Sequence, residues 1–295
     1  IVDQTPYHQW YIPLDYGDAI HVNPTDCTGY PTRLNCNAAR HGLDSTLLLG
    51  SLADPDPGNL QDADATADDL NNEADEDGVM PTLGSNWTAN GTGSLDITAS
   101  DNGYVNCWVD WALNGNWADA GEHVINDTAV VTGTNTLTFA VPAVTFPNNF
   151  TARCRLAPAA GQANSVTGAV EFGEVEDYVW AFGAAGNRPA PLTLDISLPV
   201  TDSVQLNWAP TPSNESYLIL RSTLPYFQPG DVMPVSDPDN AAPYSDPGVA
   251  GNPLAPATLF YAAQGQVTSS TPVLVSGLSN RVGLFEFSLV PGALP

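Results

Sequence analysis

Residues 110–122 carry side-chain oxygens at a spacing close to that of a calcium loop. Asp110 takes position one and Gly115 takes position six, where glycine permits the sharp turn. Two positions depart from the pattern, because Ala112 at position three has no side-chain oxygen and Glu122 falls one place beyond position twelve. An Asn-Gly hairpin turn with solvated side chains is the alternative. The calcium interpretation gives these ligands: Asp110, Asn114, Asn116, Asp119 and Glu122.

A second group of carboxylates, Glu174, Glu176 and Asp177, lies at the start of an apolar strand. Charges in such a place are costly unless they are paired or bind a metal ion. All seven basic residues are arginine, and residues 41–152 contain seventeen Asp and Glu but no Lys or Arg. We therefore expect divalent cations, rather than salt bridges, to be the general partner of the acidic groups.

Six short motifs occur in the order seen in the GEVED domain, a β-sandwich module of secreted bacterial surface proteins, and the chain resembles that family over roughly residues 11–182. The family loop usually reads Asp-x-Asn-x-Asp-Gly-Asp. Ala112, Asn114 and Asn116 replace three of its ligands, so the resemblance implies a more weakly held ion. It implies no enzymatic activity. The motifs are Leu14–Ala19, Ala39–Leu43, Leu49–Ser51, Asp75–Val79, Trp108–Trp111 and Gly173–Tyr178.

The acidic stretch from Asp54 to Asp77 has two interpretations. A run of like charges is usually a solvated loop or a disordered segment. Here the run lies inside the part of the chain that resembles the GEVED domain, and it ends in Asp75-Glu76-Asp77-Gly78. This position favours calcium binding, with these further ligands: Asp68, Asp69, Asp75 and Asp77.

Composition excludes several classes of partner. The net charge is −26 and the pI is near 4.1, so the chain cannot neutralise nucleic-acid phosphates or dock on anionic lipid. With 43% hydrophobic residues it should fold, and no apolar run reaches the length of a membrane span. No basic segment followed by an apolar segment opens the sequence, so we expect a mature chain that is secreted, extracellular or on the cell surface.

The four cysteines fall into two pairs. Cys27 and Cys36 flank a short loop, whereas Cys107 and Cys154 each lie in an apolar strand. The even number, the absence of Cys-x-x-Cys and the acidic exported composition favour disulfides. Four free, buried cysteines are the alternative.

Short apolar segments separated by Gly, Asn and Pro, with almost no helical periodicity, predict an all-β protein with two β-sandwich domains in tandem. Residues 14–182 form the first domain and residues 183–190 read as a linker. Residues 191–295 form the second domain, in which Trp208 and the strand Tyr217–Ser222 resemble a bacterial fibronectin type III domain.

Residues 1–13 form an N-terminal extension that is rich in β-forming residues and has no hairpin partner close in sequence. Two interpretations stay open. The extension is either an edge strand of its own domain or a strand donated to a neighbouring subunit.

No enzyme class is favoured. Without lysine there is no P-loop lysine and no Schiff base, and no Gly-x-Ser-x-Gly motif occurs. His8, His21, His41 and His123 lack the spacing of a zinc site, so we expect them at the surface or in hydrogen bonds.

Two functional hypotheses remain. The first is a calcium-stabilised structural subunit of a bacterial surface filament or other extracellular assembly, which self-associates through the N-terminal segment. The second is an adhesin that binds a glycan or a cell surface, and a secreted hydrolase accessory domain is a weaker variant of it. For the adhesin, Trp10, Trp87 and Trp117 are the candidate sugar-stacking platform, since Trp108, Trp111, Trp180 and Trp208 lie in strand patterns typical of a core.

Overall fold

The computed structural model describes residues 13–21, 27–43, 46–56, 58, 60–67, 75–146, 149–183, 186–200, 202–232, 234–235, 242–250 and 258–285. The predicted N-terminal extension, apart from Pro13, lies outside the described residues. So do the predicted ligands Asp68 and Asp69.

The chain divides into two compact units. The first comprises Ile1–Thr82, Thr88–Val144 and Asn149–Trp180, and the second comprises Leu83–Trp87, Thr145–Asn148 and Ala181–Pro295. In the described residues the regular structure is β-strand, with short 3₁₀ turns such as Leu34–Cys36 and Pro229–Asp231 and no α-helix. The predicted all-β class is confirmed. Within the same residues, no helical segment has the length and apolarity needed to span a membrane.

The described residues of the first unit form three sheets. One has the order β1-β2-β9, with β2 antiparallel to β1 and parallel to β9. The second has the order β10-β8-β5-β6 and the third has the order β3-β4-β7. The strands are β1 (Leu14–Tyr16), β2 (Arg40–Gly42), β3 (Val79–Pro81), β4 (Thr92–Ala99), β5 (Gly103–Val109), β6 (His123–Val130), β7 (Gly133–Ala140), β8 (Asn149–Ala157), β9 (Ala169–Val170) and β10 (Glu174–Ala181).

Apolar side chains at alternate positions explain how two of these sheets pack. In β4, Leu95 and Ile97 are fully buried, as expected for a strand with one face toward the core. Trp111, which follows β5, lies 6.3 Å from the ring of Phe139 in β7 and 5.1 Å from that of Phe150 in β8. This tryptophan therefore joins the β3-β4-β7 sheet to the four-stranded sheet, and its burial contributes about 2–3 kcal/mol.

The second unit is a β-sandwich of the kind expected from its resemblance to fibronectin type III domains. One sheet has the order β11-β12-β14, and in the other β15 pairs with β13, β16 and β17. Trp208 is buried 5.2 Å from the ring of Tyr217, which confirms its predicted place in the core. The strands are β11 (Asp195–Val200), β12 (Ser203–Asn207), β13 (Ser216–Ser222), β14 (Tyr244–Pro247), β15 (Thr258–Val267), β16 (Leu274–Val275) and β17 (Val282–Phe285).

Both predicted disulfides are present. Cys27 bonds to Cys36 over a sequence separation of 9, and Cys107 bonds to Cys154 over a separation of 47. Cys107 and Cys154 are directly opposite each other in the antiparallel strands β5 and β8. Restriction of the unfolded chain makes these bonds worth about 3 and about 4 kcal/mol, respectively.

Candidate functional site

The Gly173–Tyr178 motif begins with a turn that requires glycine. Gly173 has a φ of 116°, and a Cβ atom at this position would overlap the carbonyl oxygen of Leu156. β10 starts at the next residue. Because successive side chains of a strand point to opposite faces, Glu174 and Glu176 share one face and Asp177 lies on the other. All three carboxylates are buried.

Glu174 and Glu176 accept hydrogen bonds from the N-terminal loops of the same unit. The Oε2 atom of Glu174 accepts from the backbone N–H of Leu49. The Oε1 atom of Glu176 accepts from the N–H of Gly78 at 3.0 Å, and its Oε2 atom accepts from the Tyr178 hydroxyl at 2.5 Å. These two side chains therefore fasten two separate loops to β10.

Burial is the largest cause of the pKa shifts of Glu174 and Glu176. It raises the pKa of Glu174 well above its usual range, and the negative charges of Glu176 and Asp15 raise that pKa further. Burial also raises the pKa of Glu176 to about 8, although the bonds from Tyr178 and Gly78 act in the opposite direction. In their ionised forms the two carboxylates repel each other, so a proton or a cation would stabilise the region.

Asp177 has an arginine partner, which corrects the sequence interpretation. The Nε and Nη2 atoms of Arg153 donate to its two carboxylate oxygens at 2.6 Å each, and the N–H of Ala19 donates at 2.8 Å. The pairing was missed because Arg153 lies 24 residues away in sequence. β8 and β10 are neighbours in the sheet, and this brings the two side chains together. The calcium proposal therefore does not include Asp177.

Asp75 and Asp77 lie near the pair of Glu174 and Glu176. Asp75 Oδ2 accepts from the N–H of Asp54 at 2.7 Å, and Asp77 accepts from both the N–H and the hydroxyl of Ser51, at 3.0 and 2.7 Å. The charges of both aspartates raise the pKa of Glu176. The structure thus brings Asp75 and Asp77 close to the carboxylates of β10, as the calcium interpretation requires, while giving each a backbone donor.

The Asp110 loop (residues 110–122) is closed by its two end carboxylates. Asp110 accepts from the N–H groups of Asn114 and Gly115, at 3.2 and 2.8 Å. Glu122 accepts from the N–H groups of Ala112 and Asp119, at 3.2 and 3.0 Å. Burial raises the pKa of Glu122, and the charges of Asp110 and Asp119 also raise it.

The remaining predicted ligands of this loop lie on its outer side. Asn114 and Asp119 are exposed, and Asn114 Nδ2 donates to Asp119 Oδ2 at 2.6 Å. Asn116 Nδ2 donates to Asn114 Oδ1 at 2.8 Å. The structure therefore brings the five predicted ligands of this loop into one hydrogen-bonded group.

The fit of calcium to these groups is incomplete. No group of three or more His, Cys, Asp or Glu side chains in the described part of the chain is arranged to hold a metal ion. Calcium takes six to eight oxygen ligands, so an ion at the Asp110 loop would need amide and backbone oxygens in addition to Asp119.

Tyr30 is a contact of the Asp110 loop that the sequence interpretation missed. Its hydroxyl donates to Asp110 Oδ2 at 2.6 Å, although the two residues are 80 apart in sequence. Its ring centroid is 4.3 Å from that of Trp117, and the guanidinium carbon of Arg153 lies 4.8 Å from the centroid of the Trp117 ring. Burial raises the pKa of Tyr30, and the bond to Asp110 raises it further.

Burial excludes Trp87 and Trp117 from the predicted sugar-stacking platform. Trp87 is 0% exposed and Trp117 is 4% exposed. Trp87 packs 4.5 Å from the ring of Phe182, and Trp117 Nε1 donates to the carbonyl of Thr151 at 3.1 Å. Trp10 lies outside the described residues.

Arg155 and His41 form a second buried polar group in the first unit. Arg155 Nε donates to His41 Nε2 at 3.0 Å, and Arg155 Nη2 donates to the carbonyl of Gly168 at 2.9 Å. Burial and the neighbouring charge of Arg155 lower the pKa of His41 well below its usual range. His41 is therefore a neutral acceptor, which confirms the prediction of a hydrogen-bonded histidine.

Comparison with known proteins supports part of the sequence interpretation. The family model of the GEVED domain matches residues 104–180, which confirms the resemblance for this part of the chain. No curated protein matches. Among solved structures, the FN1–FN3 domains of chicken CNTN1 are similar, with 9% identity and a TM-score of 0.28, over 71% of this chain and 67% of that chain. A likeness of that size says nothing about function.

The two disulfides and the GEVED region are typical of a secreted protein.

Proposed function

We propose that this chain is a non-enzymatic structural protein of an extracellular assembly, in which buried carboxylates hold the loops on a β-sandwich. The observation that supports this proposal is that each of the three carboxylates of β10 accepts a hydrogen bond from the backbone of another segment. Glu174 binds the backbone of Leu49, Glu176 that of Gly78, and Asp177 that of Ala19. Carboxylates bonded to the backbone in this way stabilise loops.

The assembly proposed is a filament or another bacterial surface structure, formed when residues 1–13 of one subunit add as a strand to the next. β7 is an outer strand of its sheet among the described residues. Backbone groups at such edges accept an added strand through many hydrogen bonds. A head-to-tail contact of this kind propagates when it does not close into a ring.

Light scattering and negative-stain imaging test the assembly. The full-length chain, concentrated with calcium present, should form particles larger than a monomer, and a variant lacking residues 1–12 should stay monomeric. A variant in which a Gly/Ser segment of equal length replaces residues 1–12 controls for chain length and should also stay monomeric. A monomeric full-length chain, or a deletion variant that polymerises, contradicts strand donation.

Calcium is proposed to stabilise the first unit. The support is electrostatic, because the net charge is −26 and the buried carboxylates raise one another's pKa values. A divalent cation would relieve this repulsion, both within a subunit and between subunits. The proposed sites are the outer side of the Asp110 loop, with Asn114, Asn116 and Asp119, and the region of Asp75 and Asp77.

A further inference from the structure

The Cys27–Cys36 disulfide closes a short segment, residues 27–36, which we call the disulfide loop. Its residue Tyr30 contacts the Asp110 loop directly. We propose that this disulfide is a redox-sensitive clamp. When it is closed it holds Tyr30 on Asp110 and Trp117, and when a dithiol reduces it the Asp110 loop is released.

Tyr30 makes two kinds of contact with the Asp110 loop. Its hydroxyl donates to Asp110 at 2.6 Å, and its ring packs on Trp117 at 4.3 Å. Asp110 in turn accepts from the N–H groups of Asn114 and Gly115, so it links Tyr30 to the turn of the loop. The position of Tyr30 therefore affects both the start of the Asp110 loop and its central aromatic residue.

The neighbours of Tyr30 fasten the disulfide loop to the core. The hydroxyl of Thr32 donates to the carbonyl of Ala19 at 2.5 Å, and Arg153 donates to the carbonyl of Pro31 at 3.4 Å. Thr32 is fully buried. These bonds require one conformation of the disulfide loop. The disulfide reduces the number of other conformations that the loop can adopt.

The two disulfides differ in their access to solvent. Cys27 is exposed, whereas Cys107 and Cys154 are both 0% exposed. Thiol–disulfide exchange requires a thiolate to reach a sulfur atom, so a reductant reaches Cys27 in the folded protein. Cys107 and Cys154 become accessible only when the packing that covers them opens.

The reduction is an ordinary exchange with a dithiol. One thiolate of the dithiol attacks Cys27 Sγ, forms a mixed disulfide and expels Cys36 as a thiolate. The second thiol of the reductant then attacks the mixed disulfide and expels Cys27. Two electrons pass to the protein, the dithiol becomes a disulfide, and each cysteine takes up one proton.

The experiment uses the full chain, without added metal ions, at increasing concentrations of a dithiol. Trapping with an alkylating reagent and peptide mapping identify the reduced cysteines, and hydrogen exchange follows the amides of Asn114 and Gly115. We expect Cys27 and Cys36 to be modified while Cys107 and Cys154 stay bonded. In the same samples, exchange at the two amides should increase at least tenfold.

A Tyr30→Phe variant separates the clamp from general loosening. It retains the disulfide and the ring contact but lacks the hydroxyl donor to Asp110. Before reduction, hydrogen exchange at the amides of Asn114 and Gly115 should therefore be faster than in the original chain. Reduction should then increase that exchange less than it does in the original chain. Unchanged exchange at these amides after Cys27 and Cys36 are reduced overturns the proposal. So does reduction of both disulfides together. Because no metal is present, neither result depends on calcium binding.

Discussion

Arg153 and Asp177 bind each other through two parallel hydrogen bonds of 2.6 Å, and neither side chain is exposed to solvent. The pair joins β8 to β10, and Asp177 also binds the backbone of Ala19. Arg153 in addition contacts Trp117 and the carbonyl of Pro31. One buried ion pair therefore connects β10, the backbone at Ala19 and Pro31, and Trp117 of the Asp110 loop.

Arg153→Met should destabilise the first unit by about 3–5 kcal/mol, because it leaves the buried charge of Asp177 without its counterion. Urea unfolding followed by tryptophan fluorescence measures the loss. Arg221→Met is the matched control, since the Arg221–Asp246 pair of the second unit is partly exposed and should be worth about 1 kcal/mol or less. Equal losses in the two variants would contradict the prediction.

Gly50→Ala should destabilise the protein by about 2–4 kcal/mol, through a positive φ and an overlap with the carboxyl group of Asp77. Gly121→Ala is the control for backbone strain alone, because Gly121 also has a positive φ but no atom lies within 4 Å of the added Cβ. Its cost should be about 1 kcal/mol. Thermal unfolding compares the two variants, and a Gly50→Ala variant no less stable than Gly121→Ala would argue against the close approach of Asp77.

His41 should make the fold sensitive to acid. Its folded-state pKa lies below its ordinary value of 6.5, because burial and the charges of Arg155 and Arg153 oppose its protonation. The stability gained with neutral His41 is therefore present above pH 6.5. It is lost as the pH falls below 6.5, at about 1.4 kcal/mol per pH unit.

A His41→Gln variant tests this effect by difference. Glutamine can still accept from Arg155 but does not titrate, so the variant should lose less stability than the original chain between pH 7 and pH 5. The raised pKa values of Glu174 and Glu176 act in the opposite direction, since protonation favours their folded state. They act equally in both proteins and cancel in the difference. Identical pH profiles would show that His41 has no such role.

Calcium should raise the melting temperature of the first unit, and exhaustive chelation should lower it. Extracellular modules bind calcium with a Kd of about 0.1–1 mM, and an ion at about 100 Kd adds about 2.7 kcal/mol of stability. Asp119→Ala should reduce this effect, because Asp119 is exposed and its loss perturbs the apo loop little. Asp195→Ala, an exposed aspartate of the second unit, is the control and should not reduce it. A melting temperature that does not change upon chelation would contradict the calcium proposal.

The sequence by itself determined the features that depend on neighbours in the chain. Alternating apolar residues such as Leu95 and Ile97 predict β4, and the spacing of the cysteines predicts both disulfides. Where alternation is weak, the sequence does not show the bounds of a strand. β6 runs from His123 to Val130, and its polar and apolar residues do not alternate regularly. Gly173, with its positive φ, lies between β9 and β10 and separates them.

Only the tertiary structure decided which acidic groups meet which partners. Glu174 binds the backbone of Leu49 across 125 residues, and Asp177 binds Arg153 because β8 and β10 are adjacent. The sequence has few basic residues near the carboxylates, and this scarcity favoured metal ions as their partners. It could not show that backbone N–H groups, which every residue except proline carries, would serve as donors. A hydrogen bond depends on the position of two atoms in space, and strand order sets that position rather than distance along the chain.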